Sequence, residues 1–242
     1  MALFVVFLCW LCCSFAQTTV YDFTQGSIPF GVSLFCGPSF PSCNTAIPAQ
    51  WSFTPAGVTL TTQGNGFSLN SFSFLTQPNF AFDLVLSYPT FVNGGGNNLA
   101  TIVSAPGSGG MAGIWFNPPG SPLGGVNGGL YRQQFGSPDN VAAGVSAPGM
   151  GTNVPLHVTV SYCQAASADG FRFSINGQST QTFATSGVPP TFVSASLFAN
   201  GNGNANPSPA GTTIRYFRVF ENTCLTPADV QNLAPFVSAG QE

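Results

Sequence analysis

The stretch RVFENTCLTPADVQNL, Arg218 to Leu233, runs from the end of a strand into the start of a helix. Within Thr226 to Asp229, the threonine is a good helix N-cap, and the proline suits the first turn because its missing N–H costs nothing there. The aspartate favours the positive end of the helix dipole, and Val230 and Leu233 give one apolar edge. A helix of about two turns is too short to be stable alone. We therefore expect it to cap one end of a larger β-structure.

Upstream, short runs rich in Phe, Val, Ile and Thr alternate with clusters of Gly, Pro, Asn and Ser, a pattern typical of strands and turns. Asn176-Gly177 tolerates positive φ at both residues and predicts a two-residue type I′ hairpin turn. Strands without a long helical pattern indicate an all-β fold of two antiparallel sheets packed face to face. The predicted strands are Val20–Phe23, Trp51–Thr54, Val58–Thr62, Phe67–Phe74, Phe80–Tyr88, Leu99–Ser104, Met111–Asn117, Gly129–Phe135, Val154–Cys163, Phe171–Asn176, Ser179–Phe183, Phe192–Ala199 and Thr213–Glu221.

Two segments carry a family resemblance. IRYFRVFENTCLTPADVQNL, Ile214 to Leu233, is similar to the pattern I-x-x-V-R-V-Y followed by L-(S/T)-x-x-(D/E)-(I/V)-x-x-L, and LHVTVSYCQAASADGFRFSINGQ, Leu156 to Gln178, is similar to a strand pair ending in F-x-x-N-G. Both resemble the concanavalin A-like lectin and glucanase superfamily, in particular its laminin-G-like domains. The usual tryptophan of the second motif is absent. The resemblance implies a two-sheet jelly-roll sandwich with a short C-terminal capping helix, and glycan binding as its common function.

The first residues read as a leader. Residues 3–15 form a short apolar run that ends in the small-residue pattern Ser14-Phe15-Ala16, as in a secretory signal peptide. We expect residues 1–16 to be removed, residues 17–242 to form a single domain, and the protein to be secreted. No later segment approaches the roughly 18 apolar residues that a membrane-spanning helix needs, so we expect no membrane span.

Charge is scarce. The chain has 4 Lys+Arg, all arginine, against 7 Asp+Glu. Nucleic-acid binding requires many cations that neutralise phosphates, so this composition argues against nucleic acid and against anionic membrane surfaces as partners. Few charges also weaken the repulsion that keeps molecules apart, which makes self-association a possible property.

Four cysteines remain outside the leader: Cys36, Cys43, Cys163 and Cys224. An even number in an exported chain indicates two disulfides. Four cysteines allow three pairings, and we favour Cys36 with Cys43, which flank a short loop, and Cys163 with Cys224, which each end a predicted strand.

The sequence offers little for bond-breaking chemistry. Glycosidases need two carboxylates about 5 to 9.5 Å apart, and laminarinase-type relatives carry them as E-x-D-x-x-E. The only glutamates are Glu221 and Glu242, and the aspartates are scattered. His157 and Tyr131-Arg132-Gln133 supply the residue types of the Arg/Gln/His/Tyr set of alginate-lyase-like relatives, but without the local motif of that family. We predict that the protein is not an enzyme.

His157 is the sole histidine and shares the polar face of its strand with Thr159 and Ser161. We interpret it as a hydrogen-bonded histidine on the outer surface. One histidine without free cysteines excludes an obvious zinc site, and we expect no cofactor. Lectin-like jelly rolls often bind calcium, and Asp83, Asp139 and Asp169 are weak candidates for such a site.

Sugar recognition needs aromatic faces beside planar polar groups. The preferred carbohydrate-binding patch is Trp115, Asn117, Tyr131, Arg132 and Gln133, on two adjacent predicted strands. Because either Trp115 or Phe116 must face the core, burial of the tryptophan is the competing interpretation. The loop from Asn200 to Asn206 is a second candidate.

Three functions follow from these observations. The first is a secreted, non-catalytic, lectin-like module that binds an extracellular glycan or glycoprotein. The second is a structural or adhesive component of an extracellular wall, coat or matrix, which the charge-poor composition favours. The third is an atypical polysaccharide hydrolase or lyase.

Overall fold

A computed structural model describes residues 18–36, 51–62, 65–70, 73, 77–89, 100–107, 110–117, 129–134, 153–163, 170–177, 181–184, 196–197 and 208–233. These residues form strands, one 3₁₀ helix, η1 (Phe23–Gln25), and one α-helix, α1 (Pro227–Leu233). The strands are β1 (Thr18–Asp22), β2 (Val32–Cys36), β3 (Trp51–Thr54), β4 (Gly57–Leu60), β5 (Asn65–Leu69), β6 (Asn79–Ser87), β7 (Ala100–Gly107), β8 (Gly110–Asn117), β9 (Gly129–Gln134), β10 (Leu156–Cys163), β11 (Gly170–Ile175), β12 (Gln181–Ala184), β13 (Ser196–Leu197) and β14 (Thr213–Glu221).

The described strands pair into two antiparallel sheets. The eight-stranded sheet has the order β12-β11-β10-β6-β14-β4-β3, with β1 also paired to β14, and the six-stranded sheet has the order β2-β5-β13-β7-β8-β9. Buried apolar side chains from both sheets form one core. Trp51 of the larger sheet lies 6.3 Å, ring centroid to ring centroid, from Phe67 of the smaller one. The predicted two-sheet, all-β sandwich is therefore confirmed.

Each predicted strand corresponds to an observed one, and two, Trp51–Thr54 and Thr213–Glu221, have the predicted bounds. The sequence analysis missed β2. Within the predicted strand Phe192–Ala199, the described strand is Ser196–Leu197. The predicted hairpin turn has positive φ at both residues, 54° at Asn176 and 66° at Gly177.

The C-terminal helix begins as predicted. Thr226 and Asp229 form reciprocal hydrogen bonds: the Thr226 amide and hydroxyl donate to Asp229 Oδ2 over 2.8 and 2.7 Å, and the Asp229 amide donates to Thr226 Oγ1 over 3.2 Å. Val230 packs in a small cluster with Ala81 and Leu225. Ala81 lies on the side of the larger sheet that faces away from the core, so α1 covers that face instead of closing the gap between the sheets.

The predicted bond between Cys163 and Cys224 is present, with the two Cα atoms 5.2 Å apart. It joins the end of β10 to the segment that leads into α1. The predicted partner bond, Cys36 with Cys43, lies outside the described side chains. Within the part of the chain that is described, no helix has the length and apolarity to cross a membrane.

Candidate functional site

The larger sheet has an unusual second face. On β6, Phe82 and Leu84 point into the core, so Ala81, Asp83 and Val85 point to the opposite side, which we name the outward face. His157, Thr159 and Ser161 of β10 pair with Val85, Asp83 and Ala81 and share this face. All are buried although three are polar and one is an aspartate. The alternation that we predicted for β10 is confirmed, but its polar side is not wet.

Asp83 is the centre of the outward face, and its side chain is fully buried. Arg218 on β14 donates through Nε to Asp83 Oδ1 over 2.8 Å and through Nη2 to Oδ2 over 2.5 Å. His157 Nε2 lies 2.8 Å from Oδ2. Three adjacent strands, β10, β6 and β14, are thus joined through one carboxylate.

This arrangement keeps Asp83 ionised. Burial alone raises the pKa of an aspartate, but the hydrogen bonds from Arg218 and His157 and their charges outweigh it, so the pKa of Asp83 lies below its ordinary value. The hydrogen bonds to Asp83, and then the charge of Asp83, in turn raise the pKa of Arg218 above its ordinary value. The cluster carries fixed opposite charges, as in a structural ion pair.

Aromatic rings flank the arginine. The guanidinium carbon of Arg218 lies 5.7 Å from the ring centroid of Tyr216 and 5.0 Å from that of Phe220, distances that suit cation–π attraction. Burial, and then the charge of Asp83, raise the pKa of the Tyr216 phenol above its ordinary value. The phenol therefore stays protonated at neutral pH.

Three buried polar atoms beside Asp83 make no hydrogen bond within the described structure: His157 Nδ1, Thr159 Oγ1 and Ser174 Oγ. Thr159 pairs directly with Ser174 across β10 and β11. Buried polar groups without partners are costly.

A groove of about 440 Å³ opens at one end of the outward face. Its polar lining residues are Ser87, Thr213 and Arg215. Its remaining lining is apolar: Ala56, Val85, Leu86 and Pro155. The groove therefore combines one cation, two hydroxyls and apolar walls, and we name it the Arg215 groove.

The interpretation of His157 as a histidine on the outer surface is wrong in one respect. It is hydrogen-bonded, as expected, but it is 2% exposed. The calcium candidate Asp83 has both carboxylate oxygens engaged in hydrogen bonds, with Arg218 and His157. Among the described residues, no group of three His, Cys, Asp or Glu side chains is placed to hold a metal ion. Asp139 and Asp169 lie outside the described residues, as does the loop from Asn200 to Asn206.

For the predicted carbohydrate-binding patch, the structure describes the backbone register. β8 and β9 are adjacent, with Trp115 paired to Tyr131 and Ile114 paired to Arg132. Ile114 also pairs with Val103, and Val103 pairs with Leu197. The five residues of the predicted patch therefore lie on two paired strands of the smaller sheet, and their role stays a prediction.

Sequence reasoning did not find the Arg215 groove. Its residues come from the turn before β4, from β6, from the approach to β10 and from β14. One signal was available, because Tyr216, Arg218 and Phe220 alternate with apolar residues along β14 and mark an outward face rich in aromatic and cationic groups.

No family model matches this sequence, and no curated protein matches it. By structure, the chain is similar to a Trypanosoma rangeli sialidase in complex with sialic acid, at 12% identity and a TM-score of 0.59, over 91% of this chain and 33% of that chain. It is also similar to domain 4 of AbnA, a GH43 extracellular arabinanase from Geobacillus stearothermophilus, in complex with arabinotriose, at 19% identity and a TM-score of 0.58, over 89% of this chain and 96% of that chain.

The chain thus spans about a third of the sialidase and nearly all of the arabinanase domain. At these identities the likeness shows the fold alone, which is a β-sandwich. It does not confirm a concanavalin A-like fold, and membership of that superfamily stays a prediction.

Proposed function

We propose that this protein is a secreted, non-catalytic, lectin-like module that binds extracellular carbohydrate or glycoprotein through the Arg215 groove. The observation that carries the proposal is the composition of the groove lining, where Arg215 and the hydroxyls of Ser87 and Thr213 stand beside apolar walls. Sugars present hydroxyl groups and apolar C–H faces together. A cleft with a few placed polar groups among apolar ones fits such a ligand, and its volume lies in the range of small-molecule sites.

The structural neighbours support a carbohydrate ligand. The arabinanase domain, which the chain matches over nearly its whole length, is in complex with arabinotriose, and the sialidase is in complex with sialic acid. Because fold alone does not fix function, the proposal depends on the groove and uses these neighbours as support.

Three of the four described carboxylates have structural partners, which favours a non-catalytic role. Asp83 is held by Arg218 and His157. Asp22 accepts hydrogen bonds from Thr24 and Gln25 at the start of η1, and Asp229 caps α1. Glycoside hydrolysis needs one carboxylic acid to donate a proton and a second carboxylate on the other side of the scissile bond. These three carboxylates instead perform structural tasks.

Secretion is part of the proposal. Residues 1–16 have the pattern of a signal peptide, and the bond between Cys163 and Cys224 is of a kind that persists in oxidising compartments. Expression with the leader in a secreting host, followed by N-terminal sequencing of the exported protein, tests it. We expect a new N-terminus near residue 17, and retention of the whole product inside the cell contradicts it.

Retention on insoluble polysaccharides and on a glycan array tests the binding function. In Ala56→Trp a bulky ring fills the Arg215 groove, because Ala56 is an exposed residue of its lining. The matched control is Ala228→Trp on the exposed side of α1. We expect the wild type and Ala228→Trp to be retained and Ala56→Trp to be lost. Absence of wild-type binding to every sugar surface refutes the function, and release of reducing or unsaturated sugars refutes the non-catalytic assignment.

A second function, that of a structural or adhesive component, rests on a different observation. Phe30 is 101% exposed and Val20 is 55% exposed. Phe30 lies in a tight turn, since the Val32 amide donates to the Pro29 carbonyl over 3.2 Å. Exposed apolar side chains promote association. Sedimentation velocity at rising concentration tests it: self-association that Phe30→Ser abolishes favours this function, and a strict monomer contradicts it.

A further inference from the structure

We infer that a strip of the outward face along β14, formed by Val20, Tyr216, Arg218 and Phe220, binds a neutral sugar residue of a longer glycan chain. We name this strip the β14 shelf. The inference rests on the proposed function and adds a second contact surface for the same ligand.

The outward face is accessible at one end and covered at the other. Pairing across five strands places the following residues in one row: Val20, Arg218, Asp83, Thr159 and Ser174. Val20 is 55% exposed and the side chain of Arg218 is 21% exposed, whereas the other three members of the row are buried. A ligand can therefore reach the outward face over β1 and β14.

Planar groups follow one another along this accessible strand. Tyr216, Arg218 and Phe220 occupy alternate positions of β14 and so share the outward face. All three are half-buried. At about 3.3 Å per residue, the step from the first to the last spans about 13 Å, which is longer than one sugar ring. Aromatic surface beside a hydrogen-bond donor suits the C–H faces and the hydroxyls of a sugar.

Arg218 keeps a donor for the ligand. Its Nε and Nη2 atoms donate to Asp83, and its Nη1 atom has no hydrogen-bond partner among the described residues. The phenol oxygen of Tyr216 is buried, so a ligand contacts this ring and not its hydroxyl. The shelf therefore offers ring surface and guanidinium N–H groups to a sugar hydroxyl.

The charges at the shelf are balanced. Arg218 forms an ion pair with Asp83, so its guanidinium donates a hydrogen bond without an uncompensated charge. Asp22 pairs with Tyr216, and Arg215 precedes Tyr216 in the chain, which adds one charge of each sign. An anionic sugar would lose hydration here without gaining an unpaired counter-charge. A neutral sugar residue avoids that cost.

The shelf adjoins the Arg215 groove. Tyr216 pairs with Val85, which lines the groove. A glycan chain that enters the groove can therefore continue over the shelf, and the second contact adds affinity without a second independent binding event. Affinity should then depend on the length of the chain.

The length dependence of binding tests the shelf. Calorimetry on the intact exported protein uses fragments of arabinan, xylan, mannan and β-glucan, from the monosaccharide to the hexasaccharide. In at least one series we expect the longest fragments to bind roughly tenfold more tightly than the shortest. We expect this gain to be insensitive to salt, because the ligand carries no charge. A galacturonate hexasaccharide should bind no more tightly than its carboxyl-reduced counterpart.

Ring variants locate the effect. Tyr216→Val and Phe220→Val remove the rings, whereas Tyr216→Phe and Phe220→Tyr are matched controls that keep them. We expect each valine variant to bind long fragments about twofold to tenfold more weakly and short fragments as the wild type does. A general loss of folded protein would weaken binding at every length, so the length dependence separates a contact with the ligand from a structural role.

The outcomes separate the inference from the proposed function. Equal binding of short and long fragments, or an unchanged length dependence in both valine variants, overturns the inference and leaves carbohydrate binding in place. Loss of the length dependence in Trp115→Ala but not in the valine variants also overturns it, because the second contact then lies on the smaller sheet. Tighter binding of the acidic hexasaccharide than of its reduced counterpart contradicts a neutral residue on the shelf. Absence of binding to every glycan refutes both.

Discussion

Arg218 and Asp83 are cross-strand partners whose side chains meet side by side. The strands β14 and β6 pair these two residues directly, and the Nε and Nη2 atoms of the arginine donate to the two oxygens of the aspartate. The carboxylate then reaches β10 through His157. One acidic side chain thus joins the three central strands on the side of the sheet that the apolar core does not reach.

Asp83→Asn tests this role. The substitution leaves Arg218 without its counter-charge in a partly buried setting, and breaking a buried ion pair costs about 3–5 kcal/mol. We expect about 3 kcal/mol, because the Arg218 side chain keeps 21% exposure. Urea unfolding measures it. Asp22→Asn, at a half-buried cap, is the control with an expected cost below about 1 kcal/mol, because asparagine caps a helix about as well as aspartate, and equal costs would contradict a special role for Asp83.

The ion pair between Asp83 and Arg218 predicts that the free energy of unfolding depends on pH. The pKa of Asp83 is lower in the folded protein than its ordinary value. The stability that the ionised carboxylate contributes is therefore present above about pH 3.9, which is the pKa of an aspartate in an unfolded chain. That stability is lost as the pH falls through the folded value. The difference in free energy of unfolding between wild type and Asp83→Asn should therefore narrow in acid. A constant difference between pH 7 and pH 3 would be inconsistent with it.

Thr159 and Thr212 give a matched comparison of buried threonines. Both side chains are buried. Thr159 Oγ1 has no hydrogen-bond partner within the described residues, whereas Thr212 Oγ1 donates to the Pro209 carbonyl over 2.8 Å. We expect Thr159→Val to stabilise the protein by about 1 kcal/mol and Thr212→Val to destabilise it by about 1 kcal/mol. Chemical denaturation measures both. A destabilising Thr159→Val would mean that its hydroxyl is hydrogen-bonded after all.

Removal of the N-cap of α1 should reduce the stability of the protein less than the change at Asp83 does. Thr226→Ala removes the side chain that bonds to both the amide and the carboxylate of Asp229, and the loss of a cap costs about 1 kcal/mol. The control is Asn232→Ala, an exposed position inside α1, where the better helix former should be neutral or slightly stabilising. The melting temperature should therefore fall for Thr226→Ala and stay level or rise slightly for Asn232→Ala.

Removal of the disulfide should cause the largest decrease in the free energy of unfolding. Cys163 and Cys224 are 61 residues apart in the chain, and a closed loop of that length contributes about 4 kcal/mol by restricting the unfolded state. We expect Cys163→Ser with Cys224→Ser to lose about that much, and a reducing agent to have no further effect through this bond. Guanidinium unfolding with and without reductant checks it. An unchanged midpoint in the double variant would show that the bond adds nothing.

The strands could be predicted because their signal is local. Phe82 and Leu84 alternate with Asp83 and Val85, and a period of two residues indicates which side chains share a face of the strand. β2 was missed because Val32–Cys36 is short and is defined as a strand by its pairing with β5. Helix α1 was predicted for a similar local reason, since its cap is encoded within four residues. Its place on the outward face depends on Ala81, far away in the chain, and no local pattern reports that contact.

The site could be predicted only in part. The sequence assigns His157 to the polar side of its strand but does not show that Arg218, Tyr216 and Phe220 lie over the same face. Asp83 is separated from His157 by 74 residues and from Arg218 by 135. The groove also contains Arg215, where the register between β14 and β6 shifts, and no residue type in the sequence predicts such a shift. Long-range pairing and one shift of register therefore determine how the residues of the outward face are arranged.

The place of β14 in the larger sheet bears on how the molecule is made. This strand lies between β6 and β4 and also pairs with β1, yet it comes after every other described strand in the chain. During synthesis, the edges of β1, β4 and β6 that pair with β14 stay unpaired until residues 213–221 emerge. We therefore expect the larger sheet to close late in folding, through contacts between residues that are far apart in the chain.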